Sequence, residues 1–235
     1  MDYYYDITFK LSKYENEFCR QHRIKATAMI CGLEPTELVT MRPDIILTEE
    51  EKLWAKTKLP SQKKKVVLGF SSVDRRREYP RENRQPLIDY LHNRFPKIEL
   101  VVVGDTLGDI QWSNSQGKGY NPVVYTDCID LRNATNLRQL FAVVDRCDSA
   151  IVIDSAVLHI AGAFKKPTVF LPSTIQADWR SYPETIVVPP PVPCYPCNDR
   201  GACSGSLKGG WCTGKVKYEK IASALRKALK KQEKV

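Results

Sequence analysis

The stretch from Ala150 to Ala163 constrains the fold more than any other. Ile151-Val152-Ile153 is a β-branched run that ends in the polar pair Asp154-Ser155, and Val157 to Ala163 follow as a small-residue, helix-forming segment. A strand, a sharp turn and a helix N-terminus in that order belong to an open α/β sheet. Ligands of such sheets sit at the carboxyl ends of the strands, and the unpaired N–H groups that open the helix favour an anion such as phosphate. Asp154, Ser155 and His159 are the polar groups placed to face it. Taken alone, the same residues read sooner as a helix cap and a satisfied core histidine, because Asp and Ser are the commonest caps; the neighbouring motifs shift that balance.

The surrounding chain repeats the strand and helix alternation. Lys65 to Phe70 predicts a strand that runs into Ser71-Ser72 and then Arg75-Arg76-Arg77. Small hydroxyls and guanidinium forks after a strand suit an anionic ligand; a solvated basic turn is the alternative. Pro86 to Phe95 predicts a helix, Ile98 to Val103 a buried strand, residues 106–122 a Gly-, Ser- and Asn-rich loop, and Val123 to Tyr125 a further strand. A helix through Leu140, Phe141, Val143 and Val144 leads into the central strand, and strands follow at Pro167 to Leu171 and Ile186 to Val188. The expected class is α/β, a Rossmann-like parallel sheet with helices on both faces. Ahead of it, residues 15–31 predict a helix and Thr48 with Glu51 a capping box that opens a helix ended by Pro60. Residues 1–60 are thus expected to form a helical segment and linker, and residues 61–235 the sheet domain.

The formal charge of +9 suggests a nucleic-acid partner until it is located. Residues 215–235 hold eight basic residues against Glu219 and Glu233, so most of the excess sits in one C-terminal helix whose Ile221, Leu225, Ala228 and Leu229 recur at helical spacing. No aromatic-interleaved basic stripe accompanies it, so nucleic acid is not the expected partner. No apolar run reaches membrane-spanning length, and Met1-Asp2-Tyr3-Tyr4-Tyr5-Asp6 lacks the order of a signal peptide. The expected location is the cytoplasm, with attachment of the basic tail to the inner-membrane surface as the alternative.

Of the eight cysteines, Cys19, Cys31, Cys128 and Cys147 lie in apolar segments and read as buried small hydrophobes. Cys194, Cys197, Cys203 and Cys212 cluster as C-x2-C-x5-C-x8-C among Gly, Ser and Asn. This predicts a small knuckle with a structural tetrathiolate site for zinc or iron; two disulfides or free thiols are the alternatives.

Taken together, these motifs resemble the C-terminal half of the heptosyltransferase family of glycosyltransferases, the ADP-heptose:lipopolysaccharide type. Asp154-Ser155-Ala156-Val157-Leu158-His159-Ile160-Ala161 is similar to the family's Asp-Ser-Gly-x-x-His-x-Ala signature, with alanine where glycine is usual. Asp130-Leu131 through Thr135-Asn136-Leu137 resembles the preceding loop and helix start. Arg77-Glu78-Tyr79-Pro80 falls where the family has Lys-x-Trp-Pro, and the cysteine cluster resembles one that many members carry, which binds iron in some. The resemblance implies the donor-binding half of a GT-B fold and transfer of a sugar from a nucleoside diphosphate, such as ADP-heptose, with inversion and without a metal. It implies that the Ser155 and Ala156 N–H groups hold the diphosphate and that Arg77, with Ser71 and Ser72, neutralises it. Asp154 would orient the donor and His159 would back the turn. Residues 1–60 would be the remnant of an acceptor domain whose main part lies upstream or on a partner chain. The catalytic base and the acceptor are left unassigned. A non-catalytic nucleotide-sugar-binding or assembly protein is the competing expectation.

Overall fold

A computed structural model describes residues 22–34, 36, 40–72, 74–106, 123–197 and 212–232. Six strands, β1 (Lys64–Gly69), β2 (Ile98–Val103), β3 (Ile129–Asp130), β4 (Ser149–Val152), β5 (Thr168–Phe170) and β6 (Thr185–Val187), form one sheet in the order β3-β2-β1-β4-β5-β6. Every neighbouring pair is parallel; Val66 lies opposite Leu100 on one side and Ser149 on the other.

The apolar runs in β1 and β2 explain the layering. A parallel strand covered on both faces has no polar side, so its sequence is continuously apolar. Val66 and Leu68 join one core with Leu100 and Val102, while Val67 joins the other with Val101 and Val103. Among the described residues six helices supply the covers: α1 (Arg23–Ile30), α2 (Glu49–Lys58), α3 (Arg81–Arg94), α4 (Leu137–Arg146), α5 (Ala156–Ala163) and α6 (Tyr218–Gln232). Leu87, Ile88 and Leu91 of α3 pack with Ile221, Leu225 and Ala228 of α6 on the first core. Val143 and Val144 of α4 and Leu158 and Ala161 of α5 fill the second, with Trp54 of α2 against it. Each of these large aliphatic side chains contributes about 1.5–3 kcal/mol on burial. The expected Rossmann-like sheet with helices on both faces is what forms.

The strand order places the site. The chain leaves β1 toward β2 and leaves β4 toward β5, in opposite directions, so the loops after these adjacent strands part and open a crevice at their carboxyl ends.

Several boundaries differ from the expectations. Helix α3 begins at Arg81, with Pro86 inside it. Its start is anchored by Arg84, buried, whose Nε donates to the Tyr79 carbonyl at 3.0 Å. Residues 123–126 do not form the expected strand. Thr126 instead exchanges hydrogen bonds with the Gln85 side chain at 3.0 and 3.1 Å, and the Arg132 guanidinium lies 4.0 Å over the Tyr125 ring. The third strand is Ile129–Asp130. Of the helix expected over 15–31, Arg23–Ile30 is described, capped by His22, and residues 1–21 lie outside the described residues. The Thr48–Glu51 capping box forms as expected. Cys147 is buried, Cys128 half-buried and Cys31 exposed, while Cys19 lies outside the described residues. Among the described residues no helix is long and apolar enough to cross a membrane.

Candidate functional site

A cleft of about 690 Å³ opens at the carboxyl ends of β1, β2 and β4. Ser71, Ser72 and Arg77 line it from the loop after β1, and Asp154, Ser155, Ala156 and His159 from the turn between β4 and α5. Two backbone features let these walls approach. An ideal Cβ on Gly69 would stand 3.2 Å from the Val157 Cβ, so the glycine lets the strand pass close under the first turn of α5, where a side chain would make the helix give way slightly. Gly104 has φ +122°, a left-handed value that turns the chain after β2; its carbonyl accepts the Asn133 N–H at 3.0 Å. Asn133 also bonds Thr106 twice, at 3.2 and 2.8 Å, which ties the β2 and β3 ends into one wall.

At the centre, Asp154 is buried between two guanidinium groups. Its Oδ2 is 3.4 Å from Arg77 Nη1 and its Oδ1 is 3.6 Å from Arg180 Nε. Arg77 keeps about a third of its side chain accessible (34%), enough to reach a ligand in the cleft. Its neighbour Arg76 turns away. It grips Asp74 through two contacts of 3.0 and 2.8 Å, and that hydrogen bonding holds the Asp74 carboxyl below the usual carboxylate range.

The helix N-terminus is open. Ser155 is the N-cap of α5 by position and extended dihedrals, but its side chain makes no capping bond, and its buried Oγ has no hydrogen-bond partner among the described residues. Ala156, the first helical residue, is exposed to the cleft. The Leu158 N–H is taken by the Ser155 carbonyl at 3.1 Å, but no side chain caps the N–H groups ahead of it, so these and the positive end of the helix dipole face the cavity, an arrangement suited to an anion.

His159 lines the cleft one turn along α5, with its Nδ1 2.8 Å from the Tyr182 hydroxyl. Burial lowers the His159 pKa below 6.5 against the opposing pull of Asp154, and burial pushes the Tyr182 phenol up to about 12. All seven residues expected at a donor site thus meet in one cavity. The sequence reading missed Arg180, Arg23, Asp105, Asn133 and Asn136, which also line it, and Tyr182 behind it. Asn136 carried a readable signal, since with Gln139 it forms a capping box. Arg180 and Tyr182 sit in an irregular connection with no motif.

The expected metal site is corrected. Among the described residues no group of three or more His, Cys, Asp or Glu side chains is arranged to hold a metal ion. Cys194, Cys197 and Cys212 are free, and Cys203 lies outside the described residues. The exposed Cys197 thiol lies 3.7 Å from the Thr174 carbonyl, and burial pushes the Cys212 thiol up to about 11. No structural zinc or iron is therefore assigned. The turn Cys212–Lys215 instead packs on the start of α3: Thr213 Oγ1 donates to the Glu78 carbonyl at 2.7 Å, and Asn83 donates to the Gly214 carbonyl at 3.1 Å.

No curated protein matches the sequence significantly. Solved structures do match in fold. The glycosyl transferase family 9 protein from Veillonella parvula superposes with a TM-score of 0.69 at 18% identity, over 90% of this chain and 60% of its own. The E. coli ADP-heptose lps heptosyltransferase II does so at 0.64 and 14%, over 91% of this chain and 63% of its own. The iron-containing dodecameric TibC of E. coli, solved with ADP-D-beta-D-heptose, does so at 0.60 and 12%, over 92% and 55%. The chain thus spans less than two thirds of the length of these structures. The sequence itself matches the model of glycosyltransferase family 9 (heptosyltransferase) over residues 4–202, most of its length, and the chain belongs to that family.

Proposed function

We propose that the cleft binds a nucleoside-diphospho-sugar of the ADP-heptose type and that the chain acts as the donor-binding part of an inverting glycosyltransferase. The observation that carries this reading is the uncapped N-terminus of α5, open to the cleft at the switch point of the sheet and flanked by Arg77. The Ser155 and Ala156 N–H groups hold the diphosphate, with Ser71 and Ser72 assisting. Arg77 reaches its oxygens, and Asp154 holds Arg77 in place and orients the donor.

In transfer, an acceptor hydroxyl gives up its proton to a base of the acceptor-binding part as its oxygen attacks the anomeric carbon from the face opposite the diphosphate, and the bond from that carbon to the phosphate oxygen breaks. Negative charge accumulates on the leaving diphosphate. Donors fixed where that charge develops lower the barrier without reorganising, and here they are the helix N–H groups and Arg77. Residues 1–60 are proposed as the linker to the acceptor-binding part, supplied by an upstream segment or a partner chain, and residues 61–235 as the donor domain. The cytoplasm is the proposed location.

Calorimetric titration with ADP, UDP, GDP and ADP-heptose tests this. Saturable binding that prefers one diphosphate and weakens about ten-fold or more in Arg77→Ala, the loss expected for a charge-assisted hydrogen bond, supports the donor site. No binding to any of them would overturn it. Binding without sugar transfer, even with an acceptor domain supplied, would favour a non-catalytic nucleotide-sugar-binding protein.

A further inference from the structure

Behind the cleft a phenol is held more tightly than packing alone requires. The Tyr182 ring lies against α5 where an ideal Cβ on Gly162 would stand 2.3 Å from it, so the helix accepts the ring only because residue 162 has no side chain. The His22 ring meets Tyr182 edge-on at 5.5 Å, and the Arg42 guanidinium lies 6.0 Å from its centroid. Arg42 is itself fixed, donating at 2.7 Å to the Gly162 carbonyl and at 2.7 Å to Glu184. Held this way, Tyr182 directs its hydroxyl at His159 Nδ1, 2.8 Å away.

We infer that Tyr182 is a positioning residue that holds His159 as the neutral Nε2–H tautomer, so that the imidazole presents a hydrogen-bond donor to the diphosphate. The argument is an account of protons. A neutral imidazole has one N–H and one lone pair, and the phenol has one proton to place. If Nδ1 carried the hydrogen, the phenol would accept it, and its own proton would be buried without an acceptor, which is costly. If the phenol donates to Nδ1, both groups are satisfied and the hydrogen must sit on Nε2. That is the nitrogen left to the cleft that His159 lines. A lone pair there would repel a phosphate oxygen; an N–H attracts it. Burial of His159 keeps the ring uncharged, so the donor is a neutral one beside the charged Arg77. His22 and Arg42 precede the sheet in sequence, so that segment supports the cleft through Tyr182 as well as lining it directly with Arg23.

This inference rests on the donor-site reading, and its test separates the two. The chain has three histidines, which makes ring nitrogen spectra of labelled protein assignable with a His159→Gln control. Long-range proton–nitrogen correlation spectra should show the Nε2–H tautomer for His159 in the wild type and a growing Nδ1–H fraction in Tyr182→Phe. ADP affinity should fall roughly three- to ten-fold in Tyr182→Phe, the range for one neutral hydrogen bond. An Nδ1–H tautomer in the wild type, or a Tyr182→Phe variant with unchanged tautomer and unchanged affinity, would overturn the inference. The Nε2–H tautomer in a wild-type protein that binds no ADP would overturn the donor reading and leave the tautomer assignment standing.

Discussion

The turn between β4 and α5 and the return between β5 and β6 meet at Asp154, and they are built in different ways. In the turn, Asp154, Ser155, Ala156 and His159 are near neighbours in sequence, and the strand and helix on either side fix where each one points. In the return, Arg180 and Tyr182 lie in a connection whose regular structure is the short Ala177–Trp179 turn, and their positions come from contacts with the rest of the fold: Asp154 for Arg180, and His159, Gly162, His22 and Arg42 for Tyr182. The first region carries its function as a motif. The second works by supporting the first, so its residues have no signature of their own.

If that contrast is right, substitutions should separate the two regions. The largest effect is expected where they join. Asp154→Ala leaves Arg77 and Arg180 without their shared partner; with Arg77 partly exposed, the loss of stability should be about 2–3 kcal/mol by urea denaturation. A double-mutant cycle with Arg180→Ala should recover part of it, and strict additivity would show that the two sides are not coupled. Gly162→Ala should cost about 1–3 kcal/mol through overpacking against Tyr182. It should also weaken ADP binding although residue 162 does not line the cleft. Tyr182→Phe, which removes only the hydroxyl, should cost about 0.5–1.5 kcal/mol.

A smaller effect should follow pH. Burial holds the pKa values of His22 and His159 below their ordinary 6.5 in the folded chain. As pH falls, the unfolded chain takes up these protons first, so stability is full above about 6.5 and declines as pH drops through that value toward the lowered folded pKa values. Urea midpoints at about pH 7.5 and 5.5 should differ, and His159→Gln should shrink the difference; an unchanged difference would place its origin elsewhere. The smallest effect is expected at Ala156, whose exposed position tolerates glycine. Ala156→Gly should leave the melting temperature nearly unchanged and tighten ADP binding no more than about three-fold, by letting phosphate approach the backbone.

How much could be read in advance varied with the kind of signal. Ile98 to Val103 was legible to the residue because a doubly covered parallel strand is apolar along most of its length, here at every position but Glu99, and the Thr48 capping box because its two partners are three residues apart. Within the run Arg75-Arg76-Arg77 composition did not say which guanidinium meets a ligand; only the resemblance of Arg77-Glu78-Tyr79-Pro80 to Lys-x-Trp-Pro singled out Arg77. That Arg77 enters the cleft while Arg76 closes on Asp74 follows from how the turn after β1 is wound. The start of α3 was hidden because Pro86 reads as a helix beginning, and the anchor that permits an earlier start, Arg84 on the Tyr79 carbonyl, is a tertiary contact. The cysteine spacing suggested a metal that the described residues do not assemble, since spacing alone does not say whether thiols converge.

The sequence by itself determined the parallel sheet, its helical covers and the strand–turn–helix that offers N–H groups to an anion. These depend on local periodicity and on dihedral preferences within a few residues. Only the tertiary structure decided that β1 and β4 lie side by side, so that Arg77 and Asp154 meet, and that the chain after β5 folds back to bring Arg180 and Tyr182 against them. Those pairings are between residues distant along the chain, and they are fixed by which strands share a hydrogen-bonded edge and by where a missing side chain, as at Gly162, leaves room for a ring.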